Sequence, residues 1–287
     1  MINHETGIKP RIIRPVEENE SFTSNNTDPI ISVISPSLNL AVFLEDTILS
    51  VARQTFKNFE HLIMDGGSTD NTKDIAERFP HVRFFSSKDS GPAEAIRKGA
   101  EMAKGKYILM PCISDGYINE EWFSLCVDIL DKDPEVSLVW GFPQYLSEDG
   151  NLGHVSYPHF HHSIPPQKFD WFNYWLSDGF WLPEGNFCVR KNVFLECFLG
   201  YDNDKKIEPC LEFNYLFNTK GYLPYHIPVV SNFGRTHSNQ MGQIFSRSEL
   251  AAIQMNDYRS KIDSYRNMIN SGHQHLFRDG DSNIITR

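Results

Sequence analysis

No stretch of this chain approaches the ~18 consecutive apolar residues that a membrane-crossing helix needs. Cations are scarce as well: 27 Lys and Arg stand against 37 Asp and Glu, a net charge of -10. With no positive surplus to release counterions from a phosphate backbone, a general nucleic-acid binder is excluded and only a local basic patch is left open. The five cysteines are odd in number and show no C-x-x-C spacing. That argues against a zinc ribbon or a disulfide framework and for free thiols in a reducing cytoplasm. Neither G-x-G-x-x-G nor G-x-x-x-x-G-K-[ST] occurs, which weighs against a dinucleotide dehydrogenase or a Walker-type ATPase. The first thirty residues lack a continuous apolar segment, so no secretory leader is expected, and no internal repeat is visible.

What the chain does have is alternation. Residues 59–72, FEHLIMDGGSTDNT, set the pattern. An apolar run, His61 to Met64, reads as a buried strand. It stops at Asp65, and Gly66-Gly67 allow a tight turn. Ser68, Thr69 and Asp70 then cap a helix whose apolar positions are Ile75, Ala76 and Phe79. Before this lies a β-branched strand, residues 30–34, an exit Ser35-Pro36-Ser37-Leu38-Asn39, and a helix with Glu45 and Asp46 expected in its first turn. After it come a strand at 82–85, an amphipathic helix at 91–104 closed by Gly105, a strand at 106–110, a helix carrying Phe123, Cys126, Val127 and Leu130, and a strand at 136–142. Residues 148–151, EDGN, mark a hairpin turn.

The fold class is therefore α/β, a mostly parallel sheet flanked by helices. The expected organisation is a polar tail at 1–29, a domain at 30–247 made of a first half at 30–142 and an α+β second half at 143–247, and a terminal helix and tail at 248–287. In the helix at 248–268 the apolar members are Leu250, Ile253, Tyr258, Ile262 and Tyr265.

Three strand ends carry groups suited to a nucleotide: Pro36-Ser37-Leu38-Asn39, Asp65, and Ser114-Asp115. Ligands of open α/β sheets bind at such ends. Carboxylates there accept from a base or ribose, and hydroxyls hold phosphate oxygens.

ISVISPSLN, FEHLIMDGGSTDNT, SKDSGPAEAIRKGAEMAKGKYI and SDGY, in that order and spacing, resemble the family 2 glycosyltransferases. The resemblance is specific over residues 31–142 and continues more weakly to about 240. It implies the GT-A fold, a nucleotide-diphosphate sugar as donor, transfer with inversion, and Mg²⁺ or Mn²⁺ as cofactor. It further implies that Pro36, Ser37 and Asn39 line the nucleotide pocket, that Asp65 binds the base, and that Glu94 and Lys98 flank the donor. The family's paired acids fall on Ser114 and Asp115, so only Asp115 keeps a carboxylate for the metal; the bland alternative is a turn-capping aspartate before Gly116. Leu38 stands where the family often has a tyrosine that could stack on the base.

The general base that inversion needs is expected at Glu212, with Glu208 as the alternative. His237 is the expected second metal or diphosphate ligand, with Arg235 another phosphate candidate, and Trp181, Glu184 and Asn186 face the acceptor, a glycan or lipid-linked molecule. Of the aromatic run 169–181, Phe169, Phe172 and Leu176 have core spacing, while Trp171 and Trp175 stay open as acceptor contacts. The cluster His159-Phe160-His161-His162 has no acidic or cysteine partner nearby and reads as a solvated loop. The setting implied is cytoplasmic, with peripheral association at the inner membrane face left open. The competing reading is a GT-A-fold module that binds a nucleotide sugar or glycan with weakened catalysis, motivated by Ser114, Gly66 and Leu38.

Overall fold

A computed structural model describes residues 28–155, 165–180, 182, 184–200, 209–238, 240 and 249–286. The tail at 1–27, the histidine cluster at 159–162, Trp181, Glu208 and the side chain of Glu184 lie outside the described residues.

Apolar and β-branched residues fill the first strands, and their period of two sends alternate side chains to opposite faces. In β1 (Ile31–Ser37), Ile34 joins one core and Ile31 and Val33 another. In β2 (Phe59–Asp65), Leu62 and Met64 face the first core and Ile63 a third. Helices cover both faces. α1 (Ala41–Ala52), α2 (Thr72–Ala76) and α4 (Trp122–Lys132) lie on one side; α3 (Pro92–Met102) and three helices of the second half lie on the other. Those three are α5 (Lys168–Asp178), α6 (Lys191–Cys197) and α7 (Pro209–Thr219). α3 reaches the sheet closely through Gly99, where a Cβ would lie 2.5 Å from Ile34 Cγ2.

The remaining strands are β3 (Val82–Ser86), β4 (Tyr107–Leu109), β5 (Gly116–Tyr117), β6 (Val136–Leu146), β7 (Leu152–Val155), β8 (Phe187–Arg190) and β9 (Leu223–Arg235). They form one nine-stranded sheet in the order β3-β2-β1-β4-β8-β6-β9-β5, with β7 paired to β6. The expected parallel sheet holds through β3-β2-β1-β4. Beyond β4 the sheet is mixed: β8, from the second half, inserts antiparallel between β4 and β6, and β6 runs parallel to β9. The strand expected at 136–142 continues to Leu146 and turns through Ser147 and Asn151 into β7.

Several details differ from the sequence reading. α1 starts at Ala41, so Glu45 and Asp46 fall in its second turn and pair outward, with Arg78 and Arg235. α2 ends at Ala76 and excludes Phe79. Trp171 and Trp175 are fully buried, their indole N–H groups donating to Asn218 Oδ1 and the Tyr258 hydroxyl at 3.0 Å each, so they serve the core and not an acceptor. In α8 (Glu249–Asn270), Tyr258 and Ile262 are buried while Leu250 and Ile253 face solvent. All five cysteines are free thiols. Among the described residues, no helix is long and apolar enough to cross a membrane.

Candidate active site

The carboxyl ends of three adjacent strands make the site. β1 and β2 end in register, Ser37 beside Asp65. Gly66 N–H donates to the Ser37 carbonyl at 2.9 Å from one side, and Ile113 N–H donates to the Pro36 carbonyl at 3.4 Å from the other. The loops after β2 and β4 thus flank the end of β1, about two strand spacings (~10 Å) apart. Asn39, at φ 53°, accepts from Thr69 N–H at 2.8 Å and gives its own N–H to Ser68 Oγ at 2.8 Å. Ala41 N–H donates to Asp70 Oδ2 at 3.0 Å, so the loops after β1 and β2 are laced together. Pro36 is buried; Ser37 is 6% exposed, and its Oγ has no partner among the described residues.

Asp65 is only 3% exposed. Its Oδ2 accepts from Gly67 N–H at 3.1 Å, Ser68 N–H at 3.0 Å and Ser86 Oγ at 2.6 Å, and its Oδ1 from Ser68 Oγ at 2.5 Å. Gly67, at φ 92°, makes this wrap feasible. The carboxylate is therefore occupied by its own loop, and what it offers a ligand is chiefly the fixed shape of that loop. Asp89, which the sequence did not single out, stands alongside, with Oδ2 3.2 Å from where a Gly66 Cβ would be.

Glu94 and Lys98 pair at 2.5 Å one turn apart on α3. Lys98, followed by Ser90, holds the Glu94 carboxyl down at about 2. Lys98 also lines a cavity of about 490 Å³ with Met64, Phe84, Phe85, Ser86 and Met102, on the β3 edge of the sheet beside Asp65 and without Asp115 among its walls.

Beyond β4, Ser114 takes φ 103°, a backbone conformation that costs a non-glycine residue about 1–3 kcal/mol. The turn is held from α1: Ser114 N–H donates to Thr47 Oγ1 at 3.3 Å, and Thr47 Oγ1 donates to the Asp115 carbonyl at 2.6 Å. Asp115 Oδ1 accepts from Arg235 N–H at 3.0 Å and faces Ser114 Oγ at 3.4 Å. Arg235, 1% exposed, puts its guanidinium on Asp46 at 2.8 Å, on the Glu148 carbonyl at 3.3 Å and over the Phe43 ring at 5.1 Å. A group so enclosed is a brace between α1 and β9, which corrects its reading as a phosphate contact. The His237 ring is 6% exposed and packs on the same Phe43, centroids 4.8 Å apart.

The second half closes over Asp115. Asn214 on α7 clasps the Leu182 backbone, accepting its N–H at 2.6 Å and donating to its carbonyl at 3.1 Å. Three residues on, a Cβ on Gly185 would sit 4.0 Å from Asp115 Oδ2; one on Gly234 would sit 4.0 Å from Oδ1. Glu212, half-buried, is in the first turn of α7, two residues before Asn214. Asn186 is 1% exposed and donates Nδ2 to the Gly141 carbonyl, so it forms part of the floor and not an exposed acceptor contact. Tyr145 on β6, 38% exposed and tilted on His154, comes within 3.7 Å of the same Gly234 position; no motif in the sequence marks it.

Two side-chain-free glycines leave room for a small cation at Asp115. Mg²⁺ is commonly bound through one or two carboxylates plus substrate phosphates, and a single carboxylate beside a serine hydroxyl suits that mode. Among the described residues no group of three His, Cys, Asp or Glu gathers as a metal site, so the fit is to a cation that arrives with its phosphates.

Solved structures share this fold. S. aureus TarS, residues 1–349, in complex with UDP superposes with a TM-score of 0.57 at 16% identity, over 84% of this chain and 72% of that one. The same fragment in complex with UDP-GlcNAc gives 0.55 at 17% identity, over 73% and 59%. Among curated proteins, Escherichia coli chondroitin synthase is 30% identical over 147 residues, 50% of this chain and 21% of its own length. Pasteurella multocida hyaluronan synthase is 30% identical over 146 residues, 50% of this chain and 14% of its own. A Mycobacterium bovis PGL/p-HBAD biosynthesis glycosyltransferase is 31% identical over 118 residues, 39% and 46%. The matched region is thus less than half the length of each of these three relatives. The model for glycosyl transferase family 2 matches residues 32–194, more than half of the chain. On that match, and on a GT-A-like sheet with its strand ends gathered at one site, this chain belongs to glycosyl transferase family 2.

Proposed function

We propose that the chain moves a sugar from a nucleoside-diphosphate donor to an acceptor hydroxyl with inversion at the anomeric carbon, in polysaccharide or glycoconjugate assembly. The observation that carries this reading is the meeting of the β2 and β4 loops on the end of β1, through Gly66 on Ser37 and Ile113 on Pro36. On this reading Pro36, Ser37, Asn39 and the loop shaped by Asp65 hold the nucleoside, with Glu94 and Lys98 on the flanking helix. Ser114 and Asp115 face the diphosphate, and His237 lies beyond Arg235 on the same side.

Glu212, or Glu208 in its place, takes the proton of the acceptor hydroxyl as that oxygen bonds to the anomeric carbon. The bond from this carbon to the diphosphate oxygen breaks, and its electron pair leaves on the nucleoside diphosphate. Asp115 would hold a Mg²⁺ or Mn²⁺, which would supply positive charge to the leaving group. Trp181, Glu184 and the floor above Asn186 are the proposed acceptor side. UDP-sugars are the first donors to test, because TarS has been solved with UDP and with UDP-GlcNAc.

A nucleotide-sugar-binding module without turnover is the second reading. Ser114 in the first acid position favours it, as does the lack of a three-ligand metal group among the described residues. Donor hydrolysis and transfer, measured with and without Mn²⁺, separate the two. Metal-dependent turnover that falls at least a hundredfold in Asp115→Ala and Glu212→Gln supports the enzyme; tight UDP binding with no turnover on any donor supports the module.

A further inference from the structure

A neutral amide stands next to Asp115, and nothing in the sequence motifs marks it. Asn232 lies on β9, whose side chains alternate between faces. Phe233 and Arg235 turn toward α1, Phe233 against Leu49 and Arg235 onto Asp46. Asn232 and Gly234 take the other face, the one that Gly185 and the Asp115 carboxylate occupy.

Ser231 Oγ donates to Asn232 Oδ1 at 3.0 Å, and Nδ2 is the outward donor. Nδ2 lies 3.8 Å from the point where a Gly185 Cβ would be, and Asp115 Oδ2 lies 4.0 Å from the same point. Asn232 is 5% exposed, and its Nδ2, which makes no hydrogen bond within the described residues, keeps access to solvent. An accessible N–H beside a carboxylate takes up a ligand's acceptor in exchange for water, with no bond inside the protein to break. Neighbouring Asn186, 1% exposed, presents the complementary case, with Oδ1 lacking a partner among the described residues.

We propose that Asn232 is a specificity-determining residue whose Nδ2–H donates to a hydroxyl of the donor's sugar ring, seating that ring beside Asp115. This rests on the glycosyltransferase reading above. A neutral donor fixed by Ser231 suits a sugar hydroxyl, and it adds no charge for the diphosphate to recognise. A site built to hydrogen-bond a hydroxyl discriminates strongly against ligands that lack it.

The test begins with wild type and a panel of UDP-, GDP- and dTDP-linked hexoses with Mn²⁺, to find the best donor by hydrolysis and calorimetry. Asn232→Ala and Asn232→Leu are then compared with wild type on that donor and on its free nucleoside diphosphate. The expected result is a roughly tenfold loss of donor affinity or kcat/KM in both variants, with nucleoside-diphosphate affinity and melting temperature unchanged. Asn232→Leu keeps the approximate volume and removes the N–H without adding charge, so a packing role would leave it near wild type, and that result overturns the proposal. Equal loss for donor and free diphosphate makes Asn232 a phosphate contact and also overturns it. A wild type that binds no nucleotide sugar at all refutes the glycosyltransferase reading itself, whereas a wild type that turns over and two variants that match it refute only the role of Asn232.

Discussion

The main-chain N–H of Arg235 donates to Asp115 Oδ1 at 3.0 Å, joining residues 120 apart in sequence. The last residue of the longest strand thereby fixes the one carboxylate at the tip of β4, and its side chain locks the same strand to α1 through Asp46. The candidate site is assembled from both halves of the chain.

That brace has a measurable weight. Arg235→Met removes a buried guanidinium and its ion pair with Asp46, which is 14% exposed. Breaking a buried pair from one side costs about 3–5 kcal/mol. Urea unfolding of the variant is expected to show a loss in that range, together with reduced donor turnover. Stability within about 0.5 kcal/mol of wild type would mean the pair is not part of the frame.

Asp65→Ala is expected to act on the loop as much as on the ligand. It strips the acceptor from Gly67 N–H, Ser68 N–H and the Ser86 hydroxyl. These donors are only partly buried and regain water in part, so at about 0.5–1.5 kcal/mol for each lost bond the melting temperature should drop by a few degrees. Ser86→Ala removes a single donor and should be close to neutral. If Asp65→Ala instead keeps full stability and loses only nucleotide affinity, Asp65 is a ligand contact alone.

Asp115→Asn and Glu212→Gln should separate binding from chemistry. Asp115→Asn keeps the shape and an acceptor for Arg235 N–H, so its fold should survive while Mn²⁺ stimulation disappears. Glu212→Gln should lower kcat at least a hundredfold and leave donor KM within a few fold, as expected for loss of a general base.

Acid should weaken the fold through its buried histidines. The His226 ring sits between Trp140 and Phe142, with centroids at 4.3 and 4.4 Å, and burial pulls it from 6.5 to about 4. His81 is drawn to about 4 by burial and then Lys57, and His61 is held well below its ordinary value by burial and then His81. These rings are neutral in the folded chain between about pH 4 and 6.5, whereas the unfolded chain takes up their protons near 6.5. The unfolded state binds more protons in that window, so stability is complete above about pH 6.5 and declines as pH falls toward 4. The slope is up to about 1.4 kcal/mol per pH unit for each histidine. Unfolding measured at pH 7.5 and 5.5 should show this loss, and His226→Phe should flatten it; a pH-independent wild type would contradict the assignment.

The first half of this architecture is written locally. β-branched runs, Asp65-Gly66-Gly67 and the spacing from Gly105 to Asp115 are contiguous signals, and the strands and turns stand where those signals put them. The insertion of β8 between β4 and β6 is set by pairing over long sequence distances, for which no local period exists. For the same reason Trp171 and Trp175 could not be separated from acceptor contacts until their N–H groups met Asn218 and Tyr258. Asn232, Gly185 and Gly234 carry no charge and belong to no motif; only the geometry around Asp115 makes them visible. Arg235 showed the opposite trap, a cation in the expected phosphate position that the fold buries against Asp46.

A crystal structure of the chain soaked with UDP and Mn²⁺ is the most direct measurement. The account predicts anomalous density for one Mn²⁺ against an Asp115 oxygen, with the uracil over the loops of Asn39 and Asp65. A nucleotide bound in the β3–α3 cavity around Lys98 and Met102, with Asp115 bare of metal, would contradict it.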